Sequence, residues 1–186
     1  MIVAESTVRR ARLRDMIADK SVLRGRFELA AGGNSDIFFD MKQTLLLPEG
    51  LTLVGSLMLE TIMGSDATAV GGLELGACPI VGAIAQASYG GPREIAAFYV
   101  RKQPKKTGTK EHIEGYRVGD HKAVYMVEDV STTGSSVIKS IEAVKRETDC
   151  TIAGVLTVVD RQQGAVEALA NIGLRLTALF SKDDFA

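Results

Sequence analysis

The sequence lacks most of the features that announce a special architecture. Its 186 residues hold only two cysteines, Cys78 and Cys150, in unlike segments and in no metal-ligand spacing, so neither a disulfide framework nor a thiolate metal site is expected. No apolar run approaches the length of a membrane span, and the opening MIVAESTVRR has no signal-peptide core. The expectation is a cytoplasmic protein with reduced thiols and no membrane partner. Charge of one sign is also missing: 22 Lys and Arg face 23 Asp and Glu, which leaves −1 and no general attraction to nucleic acid. No GxGxxG opens a βαβ unit, which argues against a dinucleotide-binding oxidoreductase. Repeats, low-complexity tracts and linkers are absent too. What remains, 46% apolar and 24% charged, describes one globular domain over 1–186 that can bury about 70% of its unfolded surface.

Along the chain, Val8, Ala11, Leu13, Met16 and Ile17 recur among Arg and Asp, which predicts an amphipathic helix over 5–19. Residues 20–47 read as extended, with a turn at Gly32-Gly33-Asn34, and form a small accessory layer. Pro48 starts a second helix that Gly64 ends. Beyond it, short apolar runs at 67–72, 94–100, 122–127, 152–159 and 174–180 alternate with helices. Such alternation predicts an α/β fold, a mainly parallel sheet of about five strands covered on both faces. Ligands on these sheets lie at the carboxyl ends of the strands, where Gly71, Arg101, Glu128 and Asp160 fall.

The richest segment is Tyr125 to Ser136, YMVEDVSTTGSS. A turn of small residues exposes successive backbone N–H groups, and the helix that follows adds the positive end of its dipole, so the pair suits a monoester phosphate. Glu128 and Asp129 just ahead would repel that anion unless they served hydroxyl groups, a metal ion or a cationic transition state, and a ribose 5-phosphate meets the condition. The same residues also read as a strand, an acidic turn and a helix capped by Thr133 or Ser135.

Three further segments bear on a ligand. Arg101 to Lys122 carries seven Lys or Arg, three acidic residues and both histidines, and between Gln103 and Gly115 only Ile113 is strongly apolar. It reads as a mobile lid over about 102–116 that closes on an anion, or as a solvated hairpin with incidental charge. The turn GGLELGACP has three glycines that allow an anion close to the backbone, pyrophosphate being the natural candidate; equally, they shape a strand-to-helix connection. In VVDRQQG, Arg161 offers a planar donor pair to a carboxylate or imide edge, or else pairs with its neighbour Asp160 on the surface. A donor carrying both a monophosphate and a pyrophosphate, phosphoribosyl diphosphate, suits all the loops at once.

VEDVSTTGSS resembles the phosphoribosyl diphosphate signature of the type I phosphoribosyltransferases. FFDMKQTLLLPEG, GGLELGACP, VRKQPKKTGTKEHIEG and VVDRQQGA are similar, in the same order, to segments of the orotate-using branch of that family. The resemblance covers nearly the whole length. It implies a doubly wound core over about 48–186, an N-terminal hood over 20–47, and a homodimer whose mobile loop completes the partner's site. It also implies transfer of ribose 5-phosphate to orotate with Mg2+ carried mainly by substrate and no direct protein ligand. By matching positions, Glu128 and Asp129 hold the ribose hydroxyls. The run Val130, Ser131, Thr132, Thr133, Gly134, Ser135 and Ser136 forms the 5-phosphate cradle, with Thr132 also near the base. Arg161 contacts orotate, and Phe38 and Phe39 line the base pocket. Arg101, Lys102 and Lys105 meet the pyrophosphate, Lys102 across the dimer interface, and Lys105, Glu128 and Asp129 are the implied catalytic groups.

The chain departs from the pattern in the lid, where Thr107 stands in place of the family's histidine, and in the hood, where Ala30 replaces a lysine found in some members. Histidine can exchange a proton with a leaving pyrophosphate and threonine cannot. His112, five residues on, is the candidate substitute. Two other functions keep the same cradle: a phosphoribosyltransferase for another base, and a sensor of phosphoribosyl diphosphate that regulates transcription.

Overall fold

The structure, a computed structural model, describes residues 2–28, 34–104, 111–119 and 122–186. Lys105, Thr107 and Ala30, to which the sequence reading attached weight, lie outside the described residues.

Helix α1 spans Ile2–Lys20, and the hairpin that follows pairs β1 (Val22–Glu28) with β2 (Asn34–Phe39) antiparallel. Its burial alternates strictly along β2, with Ser35, Ile37 and Phe39 turned inward. A single turn, α2 (Lys42–Leu45), leads to α3 (Pro48–Met63), which Pro48 opens at a position where a missing N–H costs nothing. The core then runs β3 (Ala69–Gly71), α4 (Ala77–Ser88), β4 (Ala96–Val100), β5 (Ile113–Gly115), β6 (Ala123–Ser131), α5 (Ser135–Glu147), β7 (Thr151–Asp160), α6 (Ala165–Ala170) and β8 (Leu176–Ser181). A short 3-10 turn, Lys182–Phe185, ends the chain.

The sheet has six strands in the order β5-β4-β3-β6-β7-β8. Five are parallel, as the apolar runs imply; β5 is the addition and pairs antiparallel with β4. Its residues belong to the stretch expected to move as a lid through 116. Ile113 packs against the core, Arg101 N donates to His112 O at 2.8 Å and Tyr116 N to Ala97 O at 3.0 Å, so this part of the segment is edge strand. One apolar residue in a charged stretch gives too weak a period for sequence reading to find it.

Successive residues of the parallel strands face opposite layers. Val70, Val127, Leu156 and Val158 pack with α1, α3 and α4, while Ala69, Phe98, Val124, Met126 and Val155 pack with α5 and α6. Being covered on both faces, β7 is apolar almost throughout. The hood hairpin rests on the chain's end: the Phe39 ring lies 5.4 Å from Phe185, which lies 5.7 Å from Phe180, and Arg24 Nη2 donates to Phe185 O at 2.9 Å.

Between β3 and β6 the winding reverses, since the chain leaves β3 toward one edge and returns to build the other. A crevice opens there at the carboxyl ends of the strands. On the other side of β3, Gly71 lets β4 pack close, because a Cβ at that position would enter the ring of the fully buried Phe98. Gly71→Ala is expected to lower the unfolding free energy by about 1–3 kcal/mol through overpacking; an unshifted urea midpoint would contradict that packing.

Candidate active site

Strand β6 carries its two carboxylates into the crevice while still paired with β7, Glu128 opposite Thr157 and Ser131 opposite Asp160. The Ser131 hydroxyl donates to Glu128 Oε2 at 2.9 Å, and Val130 N donates to Asp129 Oδ1 at 3.0 Å. Burial, with a smaller push from the neighbouring Asp129 charge, raises the Glu128 carboxyl to about 7 against the hydrogen bond from Ser131. Burial likewise raises Asp129, while the Val130 amide and the Lys42 ammonium pull it down.

The chain then turns through Thr132 and Thr133 into α5. Gly134, at φ 77°, occupies the cap position and has no side chain with which to satisfy the first-turn amides. Thr133 Oγ1 takes only a 3.5 Å bond from Ser135 N and meets Ser135 Oγ at 3.1 Å. The alternative reading of a helix capped by its own hydroxyls is therefore weakly realised, and the free N–H groups of a 13-residue helix point into the crevice.

Facing this cradle is the turn after β3. Gly72 has Val127 O and the Ala77 side chain against it, and a Cβ on Gly76 would lie 2.5 Å from Asp129 Oδ1. The glycines thus both shape the connection and bring its backbone against the carboxylate. Glu74 joins the turn to the lid's base: its N donates to Val100 O at 2.8 Å, and its Oε1 accepts from Lys102 N at 2.9 Å. Sequence reasoning missed Glu74, which no motif singles out. Arg101 Nη1 lies 3.7 Å from Glu114 Oε1, a pair at the surface that holds it weakly.

At the end of β7, Arg161 is not paired with Asp160. Asp160 Oδ1 accepts from Gln162 N at 2.9 Å and stabilises the turn. Arg161 instead reaches the hood, where its Nη2 donates to Ser35 Oγ at 2.9 Å and to Ile37 O at 3.2 Å. Its residue is 5% exposed, and its buried Nε has no partner. Burial lowers its pKa, and among the described residues no carboxylate forms an ion pair with it.

Phe38 and Phe39 occupy successive strand positions and so face opposite sides. Phe39 is in the core against Phe185, while Phe38 is 39% exposed with its ring 5.5 Å from Phe27. One pocket cannot be lined by both rings, contrary to the expectation from the resemblance, because a strand alternates its side chains. Lys42 carries a charge toward the site. Its ammonium lies 2.6 Å from Asp40 Oδ1, an ion pair that raises its pKa, with Asp129 adding to the effect.

His112 adjoins Arg101, whose N donates to its O at 2.8 Å, but its ring is paired. Its Nδ1 lies 2.7 Å from Glu147 Oε1, and Glu147 also accepts from the amides of His112 and Ile113. Glu147 ends α5, and twelve residues of helix put it about 18 Å from the cradle at Ser135. The ring that was the candidate substitute for the lid histidine is thus paired with Glu147 in this structure. Among the described residues no group of three His, Cys, Asp or Glu is placed to hold a metal ion, and no helix is long and apolar enough to cross a membrane.

Glu128 links the site to stability. A carboxyl raised from 4.5 to about 7 favours the folded state below pH 4.5, and that contribution is lost as pH rises through 7. Glu128→Gln should match the parent near pH 4.5 and exceed it by as much as about 3 kcal/mol at pH 8. Thermal unfolding across that range checks this, and a difference independent of pH would contradict it.

The chain is 47% identical over 179 residues to the orotate phosphoribosyltransferase of Rhodopseudomonas palustris (strain BisB5), covering 95% of each chain. It is 39% identical over 178 residues to that of Sorangium cellulosum (strain So ce56), covering 95% of this chain and 92% of the other. Among solved structures, Mycobacterium tuberculosis H37Rv orotate phosphoribosyltransferase in complex with Fe(III) dicitrate matches with a TM-score of 0.83 and 38% identity, over 96% of this chain and 99% of that one. The same enzyme in complex with 5-phospho-alpha-D-ribosyl 1-diphosphate matches with a TM-score of 0.79 and 36% identity, over 95% and 98%. No protein-family model matches the chain.

Proposed function

The chain belongs to the orotate phosphoribosyltransferase family, and we propose from its crevice how it performs that family's reaction. It is a glycosyltransferase of pyrimidine synthesis: ribose 5-phosphate passes from phosphoribosyl diphosphate to N1 of orotate, giving orotidine 5'-monophosphate and pyrophosphate. The observation that carries the assignment of base is Arg161, a buried guanidinium with an unpartnered Nε and, among the described residues, no carboxylate of its own. A cation kept out of water without a counter-ion is stabilised by an anionic ligand, and the carboxylate of orotate supplies one. With Nη2 committed to the hood, the guanidinium is held in one orientation, and its remaining N–H groups are the donors left for the base.

The 5-phosphate of the donor sits on the α5 amides and the hydroxyls of Thr132, Thr133, Ser135 and Ser136. Ser131, buried with its hydroxyl on Glu128, supports the turn from beneath and does not meet the phosphate as the resemblance implied. Asp129 and Glu128 accept from the ribose hydroxyls, and in their ionised forms they favour the positive charge that grows at C1 as the bond to pyrophosphate breaks. N1 of orotate attacks from the opposite face, with inversion. Arg101, Lys102 and Lys105 stabilise the leaving pyrophosphate beside the glycine turn, and loss of one such contact costs on the order of 2–4 kcal/mol in the barrier. Arg101 gives up little in leaving Glu114, since an exposed pair is worth about 1 kcal/mol or less.

Mg2+ belongs to this reading as a cofactor, because it neutralises charge on the diphosphate when bound. It would be carried mainly by the substrate's own oxygens, with Glu128 and Asp129 meeting its waters. The working unit is a homodimer in which Lys102 serves the partner's site, located in the cytoplasm, with no role for nucleic acid or membrane.

Orotate consumption followed by ultraviolet absorbance tests the dimeric arrangement. Lys102→Ala and Asp129→Asn should each be nearly inactive alone, and their mixture should recover about a quarter of the parent rate, since half of the dimers are hybrids with one complete site. Recovery absent from mixtures shown to exchange subunits would place Lys102 in its own subunit's site.

A further inference from the structure

Arg161 and Ser35 are 126 positions apart in sequence, yet they share a closed set of hydrogen bonds. The Ser35 hydroxyl donates to Ile37 O at 2.8 Å and accepts from Ile37 N at 3.3 Å and from Arg161 Nη2 at 2.9 Å. One donor and two acceptor sites are thereby filled, the full capacity of a hydroxyl. Ile37 O takes the second Nη2 bond at 3.2 Å, so serine, backbone and guanidinium fix one another. Ser35 is 8% exposed and Arg161 5%, which leaves little water to replace any of these partners.

We propose that Ser35 is a positioning residue for base recognition, its hydroxyl holding Arg161 Nη2 and so fixing the orientation in which the guanidinium meets the anionic edge of the base. The proposal rests on the assignment of Arg161 to orotate and goes beyond it by making the hood's register a determinant of base affinity. A guanidinium on three rotatable methylenes has many rotamers. Hydrogen bonds to β2 select one of them, and the strict inward alternation of Ser35, Ile37 and Phe39 keeps that strand in register against the core. The phosphate cradle lies on β6 and α5, outside this set, so the donor's affinity does not depend on it.

The test is steady-state kinetics of Ser35→Ala and Ser35→Thr, with Arg161→Gln as reference. Ser35→Ala should raise the KM for orotate about tenfold, equivalent to ~1.4 kcal/mol. The KM for phosphoribosyl diphosphate should stay within about twofold, as expected when one hydrogen bond to a charged group is lost away from the donor's site. Ser35→Thr keeps the hydroxyl and should restore the orotate value. An unchanged orotate KM in Ser35→Ala, with Arg161→Gln impaired, would overturn the positioning role and leave Arg161 as the base anchor. An equal rise in both KM values would also overturn it, by showing a hood loosened as a whole. Were Arg161→Gln itself to leave orotate KM unchanged, the assignment of Arg161 would fail and the proposal with it.

Discussion

The parallel pairing of β3 with β6 is the constraint on which the remainder depends. Ala69, Val70 and Gly71 lie opposite Val124, Tyr125 and Met126, and past this register the two chains diverge, one into the glycine turn and one into the phosphate cradle. Because the sheet's winding reverses at this point, no crossover helix covers the gap. Small residues keep the walls close: Gly72 lies against Val127 O, and Gly76 against Asp129. A side chain at either of them would push apart the groups that must meet around one ribose.

Two half-buried carboxylates at that junction and a buried arginine at the end of β7 are held against their electrostatic preference. Glu128 and Asp129 are raised by desolvation, Arg161 is lowered by it, and none forms an ion pair among the described residues. Such groups weaken a fold in isolation. In the proposed function, ligands of complementary charge account for them: ribose hydroxyls with an electron-poor C1 on one side and an anionic base on the other. Binding then relieves a cost that folding has already borne, which is how a rigid site favours a charged transition state.

Much of this was legible in the residues. The apolar runs TIAGVLTVV and LRLTALF announced buried parallel strands, Pro48 and Gly64 bracketed a helix, and EDVSTTGSS marked the cradle because its small residues and paired acids make sense around a sugar phosphate. What stayed hidden was long-range or weakly periodic. The partner of Arg161 lies in the hood rather than at Asp160 next door, and no local pattern reveals a contact across 126 positions. Asn34-Ser35-Asp36 reads as turn chemistry, although it opens β2. Strand β5 has one apolar residue, and the fate of His112 depends on Glu147 at the far end of a helix. The alternation of Phe38 and Phe39 follows from strand geometry alone and corrects the expectation that both rings serve one pocket.

The central claim is that Arg161 selects the base by its carboxylate, and the comparison of orotate with uracil, which lacks only that group, measures it most directly. The ratio of kcat/KM for orotate over uracil should fall about 10- to 100-fold in Arg161→Gln, the value of a hydrogen bond to a buried charged group. An equal loss on both bases, with the ratio unchanged, would contradict the account.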